Sequence, residues 1–300
     1  MSAHIPVLLA EILALLQPRP GGRYLDATIG LGGHAEAILR AAGPEATLVG
    51  IDLDGEALAV ARERLRPFGE RVRLIQGRYE ALSELVGADA RFDGILFDLG
   101  VSSYQLDTPE RGFAFGREGP LDMRMDRSQG EPAAQLVSRL PERELADLIF
   151  RWGEDRHSRR IARAIVAARA VEPIATTIAL AGVVGRAIPR RFWPRGIHPA
   201  TRTFQALRIA VNQELADLGP ALEGAVAHLV PGGRAAAISF HSLEDRIVKQ
   251  TWRRLEAAGA VRLLTKRPLT VREAEEQRNP RSRSAKLRAL ERMPDTMEAA

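Results

Sequence analysis

An alternation of strand and helix patterns near the N-terminus constrains the fold of this 300-residue chain most strongly. Between Arg23 and Asp98, short apolar runs alternate with amphipathic segments, which is typical of βαβ units in a parallel sheet. We therefore expect an α/β fold with a mostly parallel sheet. The predicted strands in this region are Tyr24–Ala27, Thr47–Asp52, Val72–Gln76 and Gly94–Asp98.

A segment without strand patterns interrupts this alternation. Residues 108–130 are rich in glycine and proline and predict a long loop. The α/β pattern then resumes with a helix near 200–218 and continues to a polar, basic tail from Pro268. We predict a core of residues 1–107 and 205–300 and an inserted all-helical domain at residues 108–204. The elements predicted after the loop are helices near 141–150, 155–170, 176–187 and 243–258 and strands at Ala235–Phe240 and Val261–Thr265.

A glycine-rich turn joins the first predicted strand to the first helix. It reads Asp26-Ala27-Thr28-Ile29-Gly30-Leu31-Gly32-Gly33-His34, and such a turn lets a ligand approach the backbone at a helix N-terminus. The second strand ends at Asp52, 20 residues after Gly32, where an acid can bind ribose hydroxyls. We expect Asp54 to cap the next helix. The spacing predicts a cofactor that contains adenosine.

The charge of this turn distinguishes two such cofactors. Asp26 lies inside the turn, where its carboxylate would repel a pyrophosphate but could pair with a cationic ligand. S-adenosylmethionine carries an amino group and a sulfonium and has no phosphate, so the turn favours a methyl donor over NAD. Asp98 ends the fourth strand at the same sheet edge, where it could bind the adenine amino group or lie near the reacting centre.

Composition narrows the chemistry further. The chain has no cysteine, which excludes disulfides, cysteine-ligated metals and cysteine nucleophiles, and no metal site is predicted. Lys+Arg number 43 against 38 Asp+Glu, a formal charge of +5, and almost all the cations are arginine. Arginine abundance indicates a phosphate-rich partner, or else genome composition or heat adaptation.

No export signal or membrane span is predicted, so we expect a cytoplasmic protein.

Two basic stretches are candidate RNA contacts. Residues 173–213 contain six arginines and no acid, around Phe192, and residues 262–292 contain 10 basic and 4 acidic residues. Arginines mixed with aromatic rings suit RNA, whereas the alternative is a solvated helix end with a buried tryptophan. Phe240 could stack on a target base or simply pack. The candidate RNA-binding residues are Arg190, Arg191, Trp193, Arg195, Arg202 and Phe240.

Long motifs along the chain match those of one known family. They are Asp26 to His34, Asp98-Leu99-Gly100-Val101-Ser102-Ser103-Tyr104-Gln105-Leu106-Asp107, His198-Pro199-Ala200-Thr201-Arg202-Thr203-Phe204-Gln205-Ala206-Leu207-Arg208 and Ser239-Phe240-His241-Ser242-Leu243-Glu244-Asp245-Arg246, with His4 to Leu9 and Asn279 to Arg288 at the two ends. In these segments, and over essentially its whole length, the chain resembles the MraW (RsmH) family of ribosomal RNA small-subunit cytosine-N4 methyltransferases.

The resemblance implies a class I S-adenosylmethionine methyltransferase core, which is Rossmann-like, with an inserted helical domain. It also implies methylation of the exocyclic N4 amino group of a specific cytidine in small-subunit ribosomal RNA, either free or in the assembled small subunit. Tyr79 stands where the family more usually has phenylalanine, and it keeps an aromatic ring for adenine. The implied cofactor contacts are Gly32, Gly33, His34, Asp52, Tyr79, Asp98 and Gln105.

Transfer to the cytosine amino group would need acceptors that orient its two N–H groups. We expect backbone carbonyls near Leu99 and Gly100 to do this, helped by Asp98 or Ser102. Methylation at carbon 5 ordinarily needs a cysteine adduct, which this chain cannot form. His241, just past a predicted strand end, is a candidate proton acceptor or cytidine contact, or else a structural histidine.

Two functions of other kinds stay as alternatives. An NAD-dependent oxidoreductase could use the same sheet, and a non-enzymatic ribosome-assembly factor could keep the fold and only bind RNA. The nearly complete cofactor motif argues against the second. The sequence leaves open whether the chain forms a homodimer.

Overall fold

The computed structural model describes residues 6–194 and 196–294. The described residues form two compact units. The sheet unit lies within Met1–Gly100 and Leu215–Ala300, and the helical unit is Val101–Glu214. The helical unit extends beyond the predicted insertion at both ends, because Ser103–Asp107 and all of the helix Thr201–Asn212 belong to it.

The described part of the sheet unit contains one eight-stranded sheet. Its strands are β1 (Arg23–Asp26), β2 (Thr47–Asp52), β3 (Val72–Gln76), β4 (Phe92–Asp98), β5 (Leu229–Ser239), β6 (Val261–Leu263), β7 (Leu269–Thr270) and β8 (Lys286–Arg292). The strand order is β3-β2-β1-β4-β5-β8-β6, with β7 paired to β8. Strands β1 to β5 pair in parallel, and β8 is antiparallel to its neighbours. The predicted Rossmann-like class I fold is confirmed.

Helices cover the sheet and form the helical unit. They are α1 (Leu9–Leu16), α2 (Gly33–Ala42), α3 (Gly55–Leu65), α4 (Leu82–Val86), α5 (Ser103–Asp107), α6 (Ala133–Arg139), α7 (Glu142–Gly153), α8 (Ser158–Arg169), α9 (Thr177–Ala187), α10 (Thr201–Asn212), α11 (Leu218–Ala227), α12 (Ser242–Ala257) and α13 (Glu273–Arg278). The continuous apolar run Ile95-Leu96-Phe97 of β4 is fully buried, as expected for a strand with both faces covered. In the described ranges, no helix is both long and apolar enough to cross a membrane.

The C-terminal tail contains a strand that we did not predict. Lys286–Arg292 forms β8, which inserts between β5 and β6. Its sequence looks basic and weakly patterned, yet Leu287 and Leu290 are fully buried. Arg288 is buried as well, because its Nε donates to Asp245 Oδ1 at 2.7 Å. Because it contains a buried ion pair, this strand lacks the simple apolar pattern from which strands are predicted.

The helical unit has its own core, and the predicted long loop is tied to it. Helix α10 ends at Asn212, earlier than predicted, because Gln213 adopts a left-handed conformation with φ of 54°. The Asn212 side chain donates to the Met123 carbonyl at 2.8 Å and accepts from the Met125 backbone N–H at 2.8 Å. Buried Arg111 donates to the Met125 carbonyl at 2.9 Å. Buried polar groups therefore order this loop, in which Pro109–Arg111 forms a short 3-10 helix.

Candidate active site

The glycine-rich turn after β1 has a defined backbone shape. Gly30 and Gly32 have positive φ angles of 52° and 76°, which side chains disfavour. The Gly32 N–H donates to the Ile29 carbonyl at 2.8 Å and closes the turn directly before α2. Gly33 is required for packing, since a Cβ there would lie 2.7 Å from Pro6 Cγ. The turn therefore brings backbone to the carboxyl edge of β1 at a helix N-terminus.

Two acids after β2 have different structural roles. Asp52 Oδ2 accepts the Gly30 N–H at 2.7 Å, and its Oδ1 accepts the Asp54 N–H at 2.9 Å. Asp54 accepts from Glu56 N at 3.0 Å and Ala57 N at 3.3 Å, so its predicted helix cap is confirmed. Asp52 instead links the glycine turn to the next strand end. Burial raises the pKa of Asp52 to about 6, although the backbone N–H groups of Asp54 and Gly30 lower it.

A buried histidine and a carboxylate meet at the ends of α2 and β4. His34 Nε2 lies 2.9 Å from the Val7 carbonyl, so that nitrogen must carry a hydrogen. His34 Nδ1 then faces Asp98 Oδ2 at 3.4 Å. Burial alone would lower the pKa of His34, but the Asp98 carboxylate raises it overall. A proton on Nδ1 converts a repulsive contact into an ion pair.

Asp98 has one oxygen that no described residue satisfies. Its backbone N–H donates to Thr28 Oγ1 at 2.6 Å, which holds the end of β4 against the glycine turn. Its Oδ1 is buried and has no hydrogen-bond partner among the described residues. Buried carboxylate oxygens are normally hydrogen-bonded, so this atom is a candidate acceptor for a ligand.

Asp26 adds a further acid below the same turn. It is 1% exposed, and its Oδ1 accepts the Thr28 N–H at 3.3 Å. Burial raises the pKa of Asp26 to about 7; the nearby His34 opposes this, and Asp98 and Asp52 add to it. The three carboxylates of Asp26, Asp52 and Asp98 outnumber the single imidazole of His34. The strand ends therefore carry excess negative charge, which suits a cationic ligand.

The remaining predicted residues of the sheet unit lie after β3 and β5. Tyr79 follows β3 and its ring packs edge-on to Phe97, with centroids 6.2 Å apart. Phe240 is half-buried, and its backbone N–H donates to Glu244 Oε2 at 2.7 Å. His241 Nδ1 accepts the Glu244 N–H at 3.3 Å and caps α12. This contact engages the nitrogen that would act as a base, so the structure gives His241 a capping role.

Glu244 is a structural residue of this edge that the sequence reasoning missed. It is 2% exposed and accepts from the backbone N–H groups of both Phe240 and His241. An acid three residues after a helix-capping residue is the capping-box pattern, so the sequence did carry a signal for it. The pairing of His34 with Asp98 had no such signal, since the two are 64 positions apart.

Ser102 and Gln105 lie in the helical unit and cap each other. Ser102 Oγ accepts the Gln105 N–H at 3.3 Å, and Gln105 Oε1 accepts the Ser102 N–H at 2.9 Å. Gln105 is buried. Their predicted catalytic and cofactor roles stay predictions.

The predicted RNA-binding residues of the helical unit form two cation–aromatic pairs. The Arg190 guanidinium lies 5.6 Å from the Trp193 ring, and that of Arg191 lies 4.9 Å from the Phe192 ring. Trp193 is half-buried against the core, and its Nε1 donates to a backbone carbonyl. Arg202 donates to the Glu154 carbonyl at 2.9 Å. Arg195 lies outside the described residues.

Comparisons with known proteins find relatives over nearly the whole chain. The model of the MraW methylase family matches residues 1–293. Ribosomal RNA small subunit methyltransferase H of Citrifermentans bemidjiense is 52% identical, covering 97% of this chain and 98% of the relative. The protein of the same name from Geotalea uraniireducens is 50% identical at the same coverage. The solved structure of an rRNA methylase from Streptococcus thermophilus covers 96% of this chain and 93% of its own, at 14% identity and a TM-score of 0.42.

Proposed function

The chain belongs to the MraW methylase family, and on that premise we propose that it methylates the exocyclic N4 amino group of a cytidine in small-subunit ribosomal RNA. The methyl donor is S-adenosylmethionine. The relatives named as small-subunit ribosomal RNA methyltransferases support the RNA substrate. The choice of the amino nitrogen rests on the chemistry of the site.

The buried, unpartnered Oδ1 of Asp98 carries this proposal. It marks a place where a ligand must supply a hydrogen-bond donor, at the edge of the sheet where such folds bind their ligands. The residues around it fit S-adenosylmethionine, because Asp26, Asp52 and Asp98 supply negative charge for its cationic groups. We assign the ribose hydroxyls to Asp52, and the adenine to the ring of Tyr79 beside β3.

Acceptors next to Asp98 can orient an amino group for attack. The backbone carbonyls of Leu99 and Gly100 directly follow Asp98 at the carboxyl end of β4. When bound, S-adenosylmethionine supplies an electrophilic methyl group on a positively charged sulfur, which becomes a neutral thioether as the carbon–sulfur bond breaks. The carbonyls fix the two N–H groups so that the nitrogen lone pair points at the methyl carbon. Asp98 Oδ1 accepts the proton that the nitrogen loses once the new bond has formed.

Other features of the chain support nitrogen over carbon as the acceptor. A chain without cysteine cannot form the cysteine adduct used for methylation at carbon 5 of cytosine.

Two further residues support the proposed reaction. Phe240, held by Glu244 at the end of β5, can stack on the flipped base. His34 acts through Asp98, because its Nδ1 lies 3.4 Å from Asp98 Oδ2 and orients that carboxylate.

A direct assay tests this function. The protein is incubated with labelled S-adenosylmethionine and either small ribosomal subunits or free small-subunit RNA, and the RNA is digested to nucleosides for mass spectrometry. We expect N4-methylcytidine. Label in 5-methylcytidine would overturn the N4 assignment, and RNA binding without any label would favour a binding factor. A parallel titration with NAD should show no binding.

The buried acids predict a pH-dependent cofactor affinity. Asp26 is protonated below its pKa of about 7 and ionised above it, and the ionised form attracts a cationic ligand. Affinity for S-adenosylmethionine should therefore rise about tenfold between pH 5.5 and 7.5 by proton linkage. The range ends at pH 7.5 so that most of the amino groups of S-adenosylmethionine stay protonated. Titration calorimetry at several pH values measures this.

Two controls make that result specific. Asp26→Asn keeps an acceptor for the Thr28 N–H but cannot ionise, so the affinity of this variant should change much less with pH. S-adenosylhomocysteine lacks the sulfonium charge and should show a shallower dependence on the wild type. An equal slope in wild type and Asp26→Asn would contradict the role of Asp26.

The two cation–aromatic pairs predict an RNA-contact surface on the helical unit. Replacing Arg190 and Arg191 together with alanine should weaken binding of small-subunit RNA roughly tenfold and leave cofactor affinity unchanged, because phosphate contacts are lost. Fluorescence anisotropy at fixed salt measures RNA binding. The matched control replaces Arg159 and Arg160, two exposed neighbours on α8 in the same unit. Equal loss in both variants would indicate a general charge effect and contradict this surface.

A further inference from the structure

A recess on the sheet unit, distant in sequence from the glycine turn, is lined by cations and hydrogen-bond donors. Its enclosed space is about 10 Å³, room for about one oxygen atom, and it lies where α12 packs beside β6 and β8. None of the described residues that line it is acidic. The lining residues are Lys249, Trp252, Arg253, Leu263, Thr265 and Arg288.

Two buried side chains of the recess have unused donors. Trp252 is 1% exposed, and its Nε1 has no hydrogen-bond partner among the described residues. Arg288 is 8% exposed and uses only its Nε, which donates to Asp245. That bond fixes the plane of the guanidinium, so its two terminal nitrogens are held in place for another acceptor. A buried indole N–H normally has a partner, which indicates that the recess receives an acceptor from outside.

Further cations surround these donors. Lys249 and Arg253 lie one turn apart on α12, and neither forms an ion pair with any described residue. Lys266 and Arg267 are exposed directly after Thr265. The Asp245 carboxylate balances the charge of Arg288, but Lys249 and Arg253 have no such partner among the described residues, and their charge beside unused donors favours an oxyanion.

We propose that this recess binds a backbone phosphate of the RNA substrate, with Arg288 and Trp252 as donors and Lys249 and Arg253 as flanking cations. The inference rests on the proposed function. It assigns an RNA contact to the sheet unit, separate from the arginines of the helical unit. A free phosphate has the same chemistry, so the experiment must distinguish the two sources.

The first test removes the flanking cations. Replacing Lys249 and Arg253 together with alanine should weaken binding of a small-subunit RNA fragment roughly tenfold and lower the slope of log affinity against log salt by about 1 to 2. Cofactor affinity and melting temperature should not change. The matched control replaces Arg23 and Arg62, two exposed arginines elsewhere in the sheet unit, with alanine. It removes the same charge and should retain most of the RNA affinity.

A second variant tests the unpartnered Nε1–H of Trp252. Trp252→Phe keeps an aromatic ring in the core and removes the Nε1–H, which has no partner among the described residues, together with part of the indole ring system. RNA affinity should fall a few-fold while the melting temperature stays within a few degrees. The melting temperature of the wild type is also measured in inorganic phosphate and in chloride at equal ionic strength, to detect binding of free phosphate.

The outcomes separate the possibilities. Loss of RNA affinity in both variants, with no specific stabilisation by inorganic phosphate, supports an RNA phosphate. Stabilisation of the wild type by phosphate, with RNA affinity unchanged in the variants, would overturn the RNA assignment in favour of a free anion. Unchanged RNA affinity without phosphate binding would overturn the site altogether. If the wild type itself neither binds nor methylates the RNA, the proposed function fails first.

Discussion

Replacing Asp98 with asparagine is expected to lower kcat/KM for RNA methylation by about 10²- to 10⁴-fold, the range for losing a positioned proton acceptor. The amide cannot accept the proton from the methylated nitrogen. It also removes the negative charge that pairs with the His34 imidazolium, so the side chain loses its fixed orientation. Single-turnover kinetics with saturating cofactor measure the effect on the chemical step.

Two comparisons make this test decisive. Asp89→Asn changes an exposed carboxylate just before the same strand and should retain activity within about twofold, as surface changes usually do. Calorimetry on Asp98→Asn should show a smaller effect on cofactor binding than on the rate. Activity of Asp98→Asn within a few-fold of the wild type would rule out the catalytic role of this residue.

The second large effect is expected at Asp52, where alanine should weaken S-adenosylmethionine binding by about 100-fold or more. The change leaves the N–H groups of Gly30 and Asp54 without their acceptor, at about 1–3 kcal/mol each. It also removes the carboxylate proposed to accept from the ribose hydroxyls. The glycine turn loses the contact that holds it to the end of β2.

Asp54→Ala is the matched control for that result. Asp54 is two residues away and caps α3, so its loss should cost about 1 kcal/mol of the free energy of unfolding and leave cofactor affinity nearly unchanged. Calorimetry and thermal unfolding of both variants separate the two effects. If both variants lose stability and affinity to the same extent, Asp52 has no specific role in cofactor binding.

Much of the fold and of the cofactor edge follows from local patterns. Strands β2 and β3 have the predicted limits, and Asp26, Asp52 and Asp98 end successive strands of the sheet. Because parallel strands place their carboxyl ends at one edge, order along the chain was enough to predict that these acids lie at one edge. Family resemblance then added the reaction and substrate.

Other features depended on side-chain hydrogen bonds that the sequence analysis did not assign. The mutual capping of Ser102 and Gln105 and the capping by His241 assign local bonds to side chains for which we predicted chemical roles. The position of β8 depends on Arg288 finding Asp245, 43 residues earlier. No local pattern encodes such a pair.

The sequence by itself therefore determined the parallel strands of the sheet, the glycine turn and the acids at the sheet edge, because these depend on periodicity and on the geometry of parallel strands. Only the tertiary structure decided that His34 pairs with Asp98, that one Asp98 oxygen stays unpartnered, and that Trp252 and Arg288 share a recess. Those facts depend on which buried polar groups find partners when the chain packs, and partners separated by tens of residues leave no local signal.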